Sequence, residues 1–129
     1  MPLLYSEGVG KGRIDLSTFV ALTATNAAKM YGLYPRKGTI AVGSDADIVI
    51  WDDGRELTLT NEMLHHNVDY TPYEGMRLKG WPATVLSRGQ VVFEDGEVKG
   101  RPGHGKFLPC AQPEKAVPVG RSVTNFQPT

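Results

Sequence analysis

Cysteine is almost missing from this chain: Cys110 is the single thiol among 129 residues. One thiol excludes an internal disulfide and a cysteine-held zinc site, and it fits a reducing, cytoplasmic setting. Net charge is missing too, since Lys+Arg and Asp+Glu both number 14. A balanced surface offers no field to recruit nucleic acid or an anionic membrane, so neither is expected as a partner. Long apolar runs are also lacking. None approaches the ~20 residues of a membrane span, and the short Pro2-Leu3-Leu4-Tyr5 stretch meets Glu7 and several glycines too soon for a secretory signal.

Catalytic motifs are scarce. There is no G-x-S-x-G elbow, and Cys110 has no basic frame beyond Lys106. Gly8-Val9-Gly10-Lys11-Gly12 misses the phosphate-loop spacing and follows no apolar strand, so it reads as a flexible connection. His65 and His66 are adjacent and diverge on either a strand or a helix, whereas a metal pair needs H-x-H or i,i+4 spacing. His104 stands alone in a glycine-rich stretch. No metal site is expected within the chain, and a hydrolase built from His65, His66 and Asp47 is the least favoured reading. Asp45 reads as an Asx-type turn residue and Asp47 as the partner of a basic neighbour. Asp52-Asp53-Gly54 reads as a loop.

What is present divides into three textures, an α+β pattern of N-terminal helices, a small β-sheet or half sandwich, and an extended tail. Residues 1–34 read as helical. Asp15 can cap a helix carrying Leu16, Phe19, Val20 and Leu22, and Thr25-Asn26 can cap a second, short one ended by Gly32. Residues 35–100 read as β-rich. Thr39 to Val42 and Asp47 to Trp51 are candidate strands, the second apolar enough to be covered on both faces. Leu57 to Thr60 alternates and should keep one face wet. Ala83 to Ser87 and Gln90 to Glu94 flank Arg88-Gly89, and Asp95-Gly96 leads into Glu97 to Lys99. Residues 101–129 are rich in glycine and proline and read as an extended tail. At this length folding buries about two-thirds of the unfolded chain's surface, enough to expect an independent core.

Whole stretches are more telling than motifs. The run from Ala24 through Thr25-Asn26-Ala27-Ala28-Lys29 to Gly38, and on through Gly43-Ser44-Asp45-Ala46-Asp47 to Asp52, resembles the closing segment of dihydropyrimidinases and D-hydantoinases, which are cyclic amidohydrolases. Leu3 to Val9, Tyr73 to Met76, Ser87 to Gly89 and Gly105 to Pro109 agree in order, so the likeness covers about residues 2–110. It implies the C-terminal portion of a metal-dependent (β/α)8 barrel joined to a β-sandwich. Residues 1–34 would then be the remnant of the barrel's end. The family's paired divalent metals, usually zinc, are held by histidines, a carbamylated lysine and an aspartate, and none of these maps onto this chain.

One family role does carry over. The resemblance places Asn26 against the amide edge of a cyclic substrate, beside its reading as a helix cap. It also likens Phe107 to Pro109 to a segment that packs across subunits. Met1 precedes sequence of mid-protein character, so the chain is expected to be a piece of a hydantoinase, catalytically incomplete alone. The alternative is a non-catalytic, assembling relative. The stripe of Leu16, Phe19, Val20 and Met30 is expected to lack cover and to drive self-association.

Overall fold

A computed structural model describes residues 1–113. The chain opens with α1 (Pro2–Leu4), which widens without a break into a π-helical turn, Tyr5–Val9. Gly8 through Gly12 are therefore no loose linker. Gly8 is buried, and the turn after it closes as Gly12 N and Arg13 N donate to the carbonyls of Val9 and Gly8 at 3.0 and 2.8 Å.

The second helical run is α2 (Leu16–Val20), a π-helical turn (Ala21–Thr25) and α3 (Asn26–Met30) in direct succession. Asp15 starts it as expected, its carboxylate accepting the Thr18 amide at 2.6 Å. The amide's hydrogen bond holds this carboxyl below the usual aspartate range. The expected second cap is overturned. Thr25 and Asn26 both sit in right-handed helical backbone, and the turn before them closes through Asn26 N to Ala21 O. The two expected helices are one, with a π-helical turn where the break was placed. Gly32 does end it, at a left-handed φ of 65°.

The expected strand at Thr39–Val42 does not form. A loop closed by Asp45 N to Arg36 O at 2.9 Å and Ser44 Oγ to Pro35 O at 2.8 Å runs there instead. Ile40 and Val42 stand in solvent at 81% and 109% exposure. The sheet beyond this loop is antiparallel, in the order β1 (Ile48–Thr58), β2 (Arg77–Ser87), β3 (Gln90–Glu94), β4 (Glu97–Val98). Asp47–Trp51 and Leu57–Thr60, read as separate strands, are largely one, joined across an irregularity between Asp52 and Glu56. The loop expected at Asp52-Asp53-Gly54 is instead an irregular stretch within β1, where Asp52 Oδ1 accepts the amides of Gly54 and Arg55. The expectation that Asp47–Trp51 is covered on both faces fails: Val49 and Ile50 are exposed, and β1 pairs only with β2 among the described residues.

Both hairpin turns match their sequence. Arg88-Gly89 and Asp95-Gly96 have positive φ at each residue, the pattern of two-residue turns whose twist suits the flanking strands. Between β1 and β2 lies an excursion pinched at its base by Leu59 N to Met76 O and Gly75 N to Leu59 O.

Helix meets sheet at an aromatic junction. Tyr5, Phe19 and Trp51 pack with ring centroids 4.9 to 6.0 Å apart. Gly80 of β2 lies beneath them, where a Cβ would come within 2.4 Å of the Tyr5 ring. Ser6 Oγ, buried, accepts the Lys79 amide at 3.1 Å. Only Phe19, Ala28, Leu59 and Leu78 form a buried apolar core among the described residues, which falls short of the independent core expected from length. Of the stripe on the second helix, Phe19 is covered after all, while Leu16, Val20, Leu22 and Met30 remain exposed. The expected tail carries no helix or strand through residue 113, and its remainder lies outside the described residues.

Candidate functional site

Asn26 heads α3, immediately after the π-helical turn. Two hydroxyls fix its surroundings. Thr23 Oγ1 donates to Phe19 O at 2.8 Å, and Thr25 Oγ1 donates across to Gly38 O at 2.7 Å. Gly38 must be glycine for this approach, since a Cβ would stand 2.5 Å from that of Ala28. Asn26 itself is exposed, and its amide has no side-chain hydrogen bond among the described residues. A π-helical turn adds a residue to the helical register and re-aims the side chains after it. Here the first of those is an amide with its donor and acceptor both uncommitted.

The polar residues beyond Asn26 have structural partners. Asp45 accepts Arg36 Nε and Lys37 Nζ, each at 3.0 Å, so it serves an ion network and not the expected Asx turn. Asp47 pairs with Lys37, as expected of a basic neighbour, and its other oxygen accepts the Arg88 amide at 2.8 Å. The hydrogen bond from Lys37 holds the Asp45 carboxyl below the ordinary range, with Arg36 adding to it. At Asp47 partial burial opposes ionisation, but the bonds from Lys37 and the Arg88 amide outweigh it and the carboxyl is again depressed. Lys37 loses some of its charge preference to burial, and its two carboxylate partners more than restore it.

The histidines lie in separate places. The His65 ring meets Phe93 edge-on at 6.0 Å between centroids. His66 lines an open groove of about 380 Å³ shared with Leu3, Leu64, Tyr73 and Trp81. The His104 ring lies 3.2 Å from Ser87 O. A second groove, about 470 Å³, is polar and edged by Glu7, Lys11, Arg77 and Lys79. Asn26 lines neither groove. Among the described residues no three His, Cys, Asp or Glu side chains converge as a ligand set, so the residues present do not fit a divalent metal pair. No helix among them is long and apolar enough to cross a membrane. Sequence reading missed Lys37 and Arg88 as organising residues, because each acts through partners eight or more positions away in the chain.

The helical run packed on a small antiparallel sheet has counterparts among known proteins. The model of the Amidohydrolase family matches residues 1–92, and the chain belongs to that family. It is 50% identical over 106 residues to a D-hydantoinase of Ralstonia pickettii, covering 82% of this chain and 23% of that protein. It is 49% identical over 109 residues to a dihydropyrimidinase of Rattus norvegicus, covering 84% of this chain and 21% of the relative. Among solved structures, a D-hydantoinase from Thermus sp. superposes with a TM-score of 0.79 at 48% identity, over 81% of this chain and 23% of that one. The chain thus spans under a quarter of the length of these relatives.

Proposed function

We propose that this chain is the C-terminal portion of a metal-dependent cyclic amidohydrolase of the D-hydantoinase and dihydropyrimidinase type. Such an enzyme opens a hydantoin or dihydropyrimidine ring by hydrolysing an amide C–N bond, with divalent metals activating the attacking water. The observation that carries this reading is 50% identity sustained over 106 residues with a D-hydantoinase. The metals, usually zinc, would be held by residues outside this chain, which supplies no fitting ligand set among its described residues. Residues 1–34 would close the barrel wall, 35–100 would form the sandwich part, and 101–129 would serve assembly. A cytoplasmic location accords with the single cysteine.

Alone, the chain should be catalytically incomplete. Loss of ring absorbance from dihydrouracil or hydantoin, followed with purified chain and added zinc, is expected to match the no-protein control. Turnover above that control, abolished by a chelator and by His66→Ala, would overturn the reading.

Within the complete enzyme Asn26 would contact the substrate's amide edge, a role supported by its exposure and uncommitted side chain. Grafting this segment into the Ralstonia pickettii D-hydantoinase, with and without Asn26→Ala, tests it. The variant is expected to lose about 1 kcal/mol of transition-state binding, roughly fivefold in kcat/KM. Unchanged kcat/KM would remove Asn26 from the site.

A second reading, a non-catalytic assembling relative, is favoured by the exposure of Leu16, Leu22, Met30 and Phe107. Sedimentation that shows a concentration-independent monomer would dismiss self-association.

A further inference from the structure

The geometry points to residues 101–111 as a strap that pins the end of the second helix to the turn of the β2–β3 hairpin. After β4 the chain is steered by Lys99 N and Gly100 N, which donate to Val92 O at 2.8 and 3.1 Å. It then meets the hairpin turn. The Arg88 guanidinium donates to the His104 carbonyl, and the His104 ring nitrogen lies 3.2 Å from Ser87 O. The ring must carry its proton on Nε2 to use that contact, because a carbonyl only accepts. This is the first pin.

The second pin is at the helix end. Ala111 N donates to Gly32 O at 3.0 Å. Gly32 has a left-handed φ of 65°, and a Cβ there would fall 1.8 Å from Ala111 O. Any other residue would push the strap away, so glycine is needed twice at one position, for its φ and for the crossing. Between the pins Phe107 is 92% exposed and Leu108 is half-buried, so the hydrogen bonds at the two ends are what locate the strap.

The strap matters because α3 has little other purchase on the sheet. It packs on the π-helical turn before it, whereas the contacts between helix and sheet fall on α1, on the Tyr5–Val9 turn and on Phe19 of α2, which meets Trp51. The ion network supplies a parallel tie, since Asp47 holds both Lys37, just past the helix, and the Arg88 amide. Arg88 therefore serves both ties, one through its backbone and one through its side chain. Opening either pin should free the helix end and leave the hairpin intact, because the hairpin's ladder is local. This device stands whether or not the chain serves a hydrolase.

Amide hydrogen exchange by NMR on the full chain tests it. Arg88→Asn keeps a residue that tolerates positive φ but cannot reach the His104 carbonyl. Gly32→Ala blocks the other pin, and Arg101→Gln, whose side chain makes no such bond among the described residues, is the control. Both pin variants are expected to speed exchange at least tenfold at Ala111 and at Leu33 and Tyr34, whose amides close the helix onto Ala28 O. The β2–β3 ladder should keep its protection, and Arg101→Gln should change nothing. If Gly32→Ala fails to fold, Arg88→Asn decides alone. An unchanged Ala111 rate in Arg88→Asn, or an equal loss of protection in β2 and β3, overturns the strap.

Discussion

The β2–β3–β4 hairpins and the long second helix sit side by side in one small chain, yet they are held in different ways. The hairpins are specified locally. Two-residue turns with positive φ set the register, and each partner strand comes within a few residues. The helix is specified by its start and by distant contacts: the Asp15 cap, the Phe19 ring in the aromatic junction, Thr25 on Gly38 and the strap on Gly32. Locally encoded structure is self-sufficient, while the helix depends on connections that single substitutions can sever.

The largest effect should come from the junction itself. Gly80→Ala would place a methyl within 2.4 Å of the Tyr5 ring and 2.8 Å of Trp51 Nε1, at a φ of 93°. Left-handed strain and overpacking together are expected to cost about 4 kcal/mol. Urea titration followed by tryptophan fluorescence would show the midpoint fall sharply. A midpoint within experimental scatter of the parent would mean that helix and sheet are not joined there.

Next in size is a paired substitution on the helix. Phe19→Ala removes a ring that is 6% exposed and is expected to cost about 3 kcal/mol. Leu22→Ala, three residues along and 55% exposed, is expected to stay within about 0.5 kcal/mol. Equal losses would show that the outward face of the helix is covered in solution, which would sharpen the case for self-association.

These contrasts explain which features could be read from sequence. Arg88-Gly89 and Asp95-Gly96 were legible because a turn's chemistry is contained in its own residues. Asp15 was legible for the same reason. Ile40 and Val42 misled because an apolar β-branched pattern becomes a strand only beside a partner, and none pairs with them among the described residues. Asn26 looked like a cap because Thr-Asn in isolation caps well, but the helix runs through it by widening into a π-helical turn. The resemblance that nominated Asn26 lay in a long stretch of sequence and in no feature of the residue alone. Lys37 and Arg88 were illegible because their work is tertiary.

The smallest effect is the pH dependence of the ion network, and its sign is set by the directions of the shifts. Asp45 and Asp47 have carboxyls held below their ordinary range in the folded chain. Their contribution is therefore complete above the ordinary aspartate value of about 3.9 and is lost as pH falls through the depressed folded values. Lys37 is raised, so its share is complete below about 10.4 and is lost as pH rises through its folded value. The stability difference between the parent and Asp47→Asn should form a plateau between those limits and shrink outside them. Salt should trim it only in part. The Arg36 side chain is 54% exposed and its pair with Asp45 is screened, whereas the Lys37 side chain is 19% exposed and its pairs are screened less. A difference that stays level through both limits would mean that Asp47 acts through packing alone. The tie between the loop after the helix and the hairpin turn would then rest on the strap.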